Sequence, residues 1–346
     1  MRKHIIYRYF LFLSLVGLMQ LTLSCSSSSN EIEPLKPEGE DTPLEKDEYT
    51  FMNVEYRKWQ NGTFQAWTTA DSRETRTIDN MNWYTPSSDY SRTAWGGRIG
   101  LQPSSVVGKE GFFRVANCGG RSYLLDPDNG AVIIHGIQHV RPGESTAHKK
   151  AFGTRYGSEA RWSEETGKLL ADNHINYISY GSNRIEVFPA AVRGNLLTPK
   201  TQKIAYAENL YLLRTFMWDM SKNLGYAFDD DKYNRLVLLF EPTFATYIDR
   251  LVQEKSALFA GDRHFIGFYL DNELPFASYQ GTGYANTEGG GWLVHTQKNR
   301  GEFYQNFCLR LLETRNCVGW VHFEYNDGYD SNGKASNKGV VSIEYE

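Results

Sequence analysis

The stretch "HFIGFYLDNE", residues 264–273, runs through large apolar side chains from Phe265 to Leu270 and then stops in Asp271, Asn272 and Glu273. A buried strand ends in an acid-amide-acid cluster when those groups have work at the strand's mouth. One reading is structural, with Asp271 or Asn272 capping a helix N-terminus. The other is chemical. A carboxyl group beside an apolar strand end has its charged form disfavoured, which suits Glu273 to protonating a leaving group. Asn272 beside it can hydrogen-bond a sugar hydroxyl.

The surrounding chain alternates strand and helix patterns. "AVIIHGIQHV", residues 131–140, is a buried-strand run. "SEETGKLLADN" follows as a helix with Ser163 at its N-cap and Glu165 in its first turns. "INYISYG" reads as strand, and "NLYLLRTFMWDM" fits helix or strand. In "PTFATYIDRLVQEKSALFAG", Phe244, Tyr247, Ile248 and Leu251 share one helical face. "TQKNRGEFYQNFCLRLLET" puts Phe303, Phe307 and Leu311 at i, i+4 and i+8, and "CVGWVHFEY" supplies the last strand. Such alternation predicts an α/β fold, a (β/α)8 TIM-barrel-like domain over 129–346. Polar residues at the carboxyl ends of barrel strands are where catalysis sits.

Residues 49–128 have a different texture, with short aromatic runs broken by Gly, Ser, Asp and Asn. They predict a small β-rich N-terminal subdomain. In it "DPDNG", residues 126–130, reads as a turn; Asp126 and Asp128 lack the later ligands of a calcium loop.

Residues 1–25 form a targeting signal: a basic start at Arg2, Lys3 and His4, then an apolar run too short to span a bilayer. "LTLSCSSSSNE" is similar to a bacterial lipoprotein signal with Cys25 as the lipidated residue, although Thr22 stands where the usual pattern has Leu. Ordinary secretory cleavage is the other reading. A lipidated Cys25 predicts an envelope or cell-surface location, held to the membrane by an anchor rather than a span. Residues 26–48 are acidic, polar and Pro-containing, and read as a disordered tether.

A net charge of −4 offers no electrostatic footprint for nucleic acid. Aromatic residues make up 14% of the chain, enough for a core and for flat rings on which a pyranose can stack. Cys118, Cys308 and Cys317 have no metal-like spacing; a Cys308–Cys317 disulfide and buried free thiols are both compatible with it. His135 and His139 lie four apart on a strand and its exit, without the helical Glu-bearing face of a zinc site. His139 or Arg141 at that exit is better placed to contact a sugar. Neither a nucleophile elbow nor a phosphate loop is present, and no cofactor or metal is expected.

A glycosidase needs two carboxyl groups flanking the scissile bond. In "VGWVHFEY", residues 318–325, alternation puts Trp320, His322 and Glu324 on one face: a stacking ring, an imidazole and a carboxylate. Asp327 follows. Glu324 is the candidate second acid; pairing with a surface Arg is its alternative.

"RSYLLDPDNGAVIIHGIQHVR", "FIGFYLDNEL", "NTEGGGWLVHTQKNRGEFYQNF" and "NCVGWVHFEYNDG…SNKGVVSIEY" together resemble, in order, segments of the agarase-like enzymes of glycoside hydrolase family 50. The resemblance covers roughly residues 110–345. It implies a (β/α)8 barrel with a β-rich N-terminal portion and cleavage of β-galactosidic bonds in algal galactans such as agarose and porphyran. By motif, Glu273 matches the family's acid/base after the fourth strand, and Trp320, His322 and Asp327 match the end of the eighth. The family's nucleophile, a Glu on the seventh strand, has no counterpart. Only Leu274 to Thr287 lie between Glu273 and Glu288, whereas strands five to seven with their helices need on the order of 90 residues. The expectation is an incomplete barrel acting as a retaining hydrolase with Glu273 as acid/base and Glu324 recruited, or a degenerate surface carbohydrate-binding lipoprotein.

Overall fold

The structure, a computed structural model, describes residues 50–60, 63–77, 91–182, 189–224, 241–271, 293–329, 335–336, 339–342 and 344–345. The signal, Cys25 and the tether lie outside the described residues, as do Asn272 and Glu273. No helix among the described residues is long and apolar enough to cross a membrane.

The N-terminal strands are β1 (Thr50–Arg57), β2 (Trp59–Gln60), β3 (Thr63–Phe64), β4 (Asp71–Thr77), β5 (Ser105–Val107), β6 (Arg114–Cys118), β7 (Arg121–Leu125) and β8 (Ala131–Val132). Strand β1 pairs antiparallel with β4, and β2 with β3. Strands β5 to β8 form an antiparallel meander in chain order. Period-two burial fixes the inner face of β1: Val54 and Tyr56 are buried, Asn53 and Glu55 exposed.

The β7–β8 connection is the expected "DPDNG" turn. Asp126 Oδ1 accepts from the amides of Asp128 (2.9 Å) and Gly130 (3.0 Å), and Oδ2 accepts from Thr93 Oγ1 at 2.5 Å. Asn129 takes the left-handed φ of 68° that closes such a turn. Burial pushes the Asp126 carboxyl above its ordinary value. Among the described residues no cluster fit to hold a metal ion occurs.

The second half runs β9 (Ile134–Ile137), α1 (Thr146–Arg155), α2 (Glu159–Asp172), β10 (Tyr177–Ile178), α3 (Ala190–Leu197), β11 (Ala205–Asn209), α4 (Leu212–Leu224), α5 (Phe244–Phe259), β12 (Phe265–Tyr269), β13 (Leu293–Val294), α6 (Gln297–Glu313) and β14 (Gly319–His322). Five strands form a sheet of order β12-β11-β10-β9-β14, parallel throughout. The last strand lies beside the first, as the final and initial strands of a barrel do. Among the described residues no strand sits between β12 and β14 in the sheet, so what is seen is five strands in barrel order. A closed barrel is not formed by them. Strand β13 joins β1 instead, and β15 (Gly328–Tyr329) pairs with β16 (Ala335–Ser336).

Each face of the parallel sheet has its own core. On the helix side, Ile137, Ile178 and Tyr206 pack with Trp162, Leu170, Leu196 and Phe259. On the other, Ile134, Tyr177, Ala205 and Ala207 pack with Trp95, and Phe113, Leu124 and Val321 complete the cluster. The N-terminal meander thus plugs the inner face of the sheet.

Two sequence expectations change. Helix α2 begins a turn earlier than expected: Ser158 is its N-cap, accepting from Arg161 N, and Ser163 is buried inside it. The extra turn brings Trp162 into the core, which the period from Ser163 onward does not include. Helix α6 does not bury the Phe303–Phe307–Leu311 face. Phe303 packs edge-on against Tyr56 at 5.8 Å, but Phe307 is 57% exposed, while Glu302 and Cys308 are buried. The helix lies against two surfaces, β4 through Arg76–Glu313 and β14 through Tyr304–Trp320, so no single stripe describes it. The face expected for α5 is kept, with Phe244 and Tyr247 against Phe216 of α4 at 5.0 and 5.1 Å. Cys118, Cys308 and Cys317 are free thiols.

His264 introduces β12. Its Nδ1 lies 2.7 Å from Ile204 O and its ring packs on Trp95 at 4.6 Å. Burial holds its protonation below the ordinary 6.5, and burial does the same to His135. Between 6.5 and the lowered value the unfolded chain binds more protons, so stability falls as pH drops through that window. Urea midpoints measured from pH 7 to 5 are expected to fall, and less steeply for His264→Asn than for the wild type.

Candidate active site

The carboxyl ends of the five parallel strands converge on one mouth, and the chain fills it with polar and aromatic groups. Past β9, His139 adopts φ 57° and points its Nδ1 at Glu324 Oε2, 3.0 Å away. Both side chains are about one-quarter exposed, 27% and 22%. The Phe323 ring, exposed at the rim, stands edge-on to the imidazole at 5.1 Å. Backbone bonds continue the β9–β14 pairing to this point: Gln138 N donates to His322 O and Tyr325 N to Gln138 O. Tyr325 is fully buried just beyond Glu324 and anchors the segment.

From β10, its exit and the last residue of β12 a set of hydroxyls meets. Tyr177 Oη and Ser179 Oγ both donate to Tyr269 Oη, at 3.2 and 3.4 Å. Burial, then the neighbouring Tyr269, raises the Tyr177 phenol well above its ordinary value and keeps it a neutral donor. With two donors on its oxygen, Tyr269 has its own hydroxyl hydrogen left for a ligand. The Tyr180 ring stands 4.8 Å from Tyr269, and 6.2 Å from Tyr211 past β11. None of these tyrosines is singled out by the sequence reading. The sequence signal for two of them is the Tyr-Ile-Ser-Tyr of residues 177–180, visible only once the strand end is placed.

Asp271 has a structural role. Its Oδ2 accepts from Leu213 N at 2.8 Å, capping the first turn of α4, while Leu212 N donates to Leu270 O. The capping alternative for "DNE" therefore holds for its first residue, across space rather than along the chain.

The expected sugar face of β14 is not assembled. The strand ends at His322, so Glu324 leaves the alternation and joins His139. Trp320 and His322 project to the helix side, where Trp320 Nε1 donates to Tyr304 Oη at 2.8 Å and His322 stands edge-on to the same ring. Burial lifts that tyrosine's hydroxyl to about 12. Asp327 braces the C-terminal segment: Oδ1 accepts from Gly339 N at 2.8 Å and its carbonyl bonds His148 Nε2 at 2.9 Å. Arg141 reaches outward to Glu144 at 3.3 Å. Of the sequence candidates, His139 and Glu324 are brought together; Trp320, His322, Asp327 and Arg141 are not with them.

The arrangement offers a carboxylate oriented by an imidazole, a directed hydroxyl and aromatic walls. Gly181 is what lets them approach. It adopts φ 75°, and a Cβ there would lie 2.6 Å from His139 Cδ2 and 2.9 Å from Nε2. Gly181→Ala is expected to displace the imidazole from Glu324, with about 1–3 kcal/mol of destabilisation. Thermal melts check it.

No protein-family model matches the chain, and no curated protein does. Among solved structures, the crystal structure of BpGH50 matches with a TM-score of 0.64 at 18% identity, over 86% of this chain and 91% of that chain. The crystal structure of an agarase, AgWH50C, matches with a TM-score of 0.43 at 12% identity, over 73% of this chain and 63% of that one. The five-stranded parallel α/β core with its β-rich N-terminal part thus shares its fold with BpGH50.

Proposed function

We propose that the protein is a glycoside hydrolase of the agarase type, cleaving β-galactosidic linkages in algal galactan with retention of configuration. The observation that carries this reading is Glu324 held by His139 at the mouth of a parallel α/β sheet whose fold is that of BpGH50. Supporting it in sequence is Glu273, two residues beyond the Asp271 that caps α4 at the end of β12. Glu273 is assigned as acid/base, with Asn272 contacting a sugar hydroxyl. Glu324 is assigned as the second carboxyl, its side chain held by the imidazole at 3.0 Å. Retention requires the two carboxyl groups about 5–5.5 Å apart.

Among the described residues no strand lies between β12 and β14, which favours a second reading, a surface protein that binds the galactan without cleaving it. In either case lipidation at Cys25 would place the protein at the bacterial envelope. Incubation with agarose and porphyran, followed by reducing-end assay and by a pull-down on the insoluble polysaccharide, separates the two. Release supports the hydrolase; retention on the polysaccharide without release supports the binding protein. Incorporation of a labelled fatty acid into the wild type but not into Cys25→Ser is the expected result for the anchor.

A further inference from the structure

A cavity adjoins the mouth at Gly181, which lies against the His139 ring on one side and lines the cavity on the other. This cavity encloses about 400 Å³, within the range of roughly 300–1,000 Å³ usual for small-ligand sites. Asn209 and Tyr211 line its inner end, and Arg214, Trp218 and Lys255 its outer end along α4 and α5. Trp218 is 56% exposed, an unusual position for the largest apolar side chain. Arg214, one helical turn before it, sets its guanidinium 4.8 Å from the centre of the indole. Among the described residues no carboxylate pairs with Arg214. The lining carries two cations, Arg214 and Lys255, against one acid, Glu208. The amide nitrogen of Asn209 is buried with no acceptor among the described residues.

Resting on the hydrolase reading for the mouth, we infer that this cavity is an outlying subsite for a glycan bearing an anionic substituent. A pyranose stacks on the indole of Trp218. Its sulfate or carboxylate group accepts from Arg214, whose planar fork matches an oxyanion and which the indole holds in place. The sugar chain then passes Tyr211 and Gly181 to the His139–Glu324 pair. A neutral galactan uses the indole but gains nothing from the guanidinium, so the cavity sets preference between anionic and neutral chains.

The test uses the full chain and its Arg214→Gln and Trp218→Ala variants, titrated with three oligosaccharides of equal length: neutral agarose, sulfated porphyran, and a uronate-bearing chain. Arg214→Gln is expected to weaken an anionic ligand by about tenfold or more while changing the neutral one by less than about twofold. Trp218→Ala is expected to weaken all three. Loss confined to porphyran identifies the substituent as sulfate; loss for both anionic ligands identifies a general oxyanion site. An unchanged anionic-to-neutral affinity ratio in Arg214→Gln overturns the inference, as does a wild type that binds none of the three. A wild type that binds with this selectivity but releases no sugar sinks the hydrolase reading and leaves the subsite standing. Active hydrolysis with affinities indifferent to both substitutions does the reverse. Both side chains lie on the surface, so melting temperatures are expected to stay within a few degrees of the wild type.

Discussion

Glu273→Gln is expected to lower sugar release from agarose by about 10²–10⁴-fold, the usual contribution of a positioned general acid. The amide keeps the size and polarity of the side chain but has no proton to give a leaving oxygen. The proposal places the acid at Glu273 and not at Asp271, two positions earlier. Asp271 already accepts from the Leu213 amide at the start of α4, and an acid spent on a helix cap is poorly placed to protonate a substrate. Glu324→Gln should cause a loss of similar size, because a retaining mechanism needs its second carboxyl as a nucleophile. His139→Ala should cause a smaller one, since the imidazole positions Glu324 without replacing it. Steady-state rates for the three variants, with circular dichroism to verify folding, test the order. Equal activity of Glu273→Gln and wild type would remove Glu273 from the mechanism.

Trp162→Ala is expected to destabilise the protein by about 3–5 kcal/mol, the range for deleting a buried large aromatic side chain. Trp162 is fully buried between α2 and the parallel sheet, in the cluster that also holds Ile137, Ile178 and Tyr325. Such a loss is a large part of the roughly 5–15 kcal/mol that holds a typical domain together. The consequence reaches the mouth, because Tyr325 in that cluster fixes the backbone next to Glu324. Urea unfolding followed by tryptophan-independent far-ultraviolet dichroism gives the measurement. A change below about 1 kcal/mol would mean that α2 does not pack on the sheet as described.

Much of the fold was legible in the sequence. Phe265 to Leu270 reads as a buried strand because a run of large apolar residues ending in acids has few other stable placements, and Phe265–Tyr269 is β12. The parallel order and the last strand beside the first follow from strand-helix alternation. The α5 face was readable because its first turns, through Phe244 and Tyr247, pack on α4 at helical spacing. That of α6 was not, because it serves β4 and β14 at once. The start of α2 was missed because Ser158 and Ser163 are both plausible caps and only burial of Trp162 decides between them.

The site was legible in part. Glu324 was a candidate by residue type; the structure sets it against His139, whereas the partner expected was an Arg, or Trp320 and His322 on a shared face. Strand alternation predicts that face only while the strand continues, and β14 stops at His322. Contacts across space could not be read from spacing along the chain: Asp271 with α4, His139 with Glu324, and two hydroxyls on Tyr269.

Retaining hydrolysis is tested most directly by incubating the wild-type chain with an agarose oligosaccharide and following the anomeric protons of the products by NMR from the first minutes. Release of sugar is expected, its new reducing end appearing first in the β configuration and only then mutarotating. No release, or a first product in the α configuration, would contradict it.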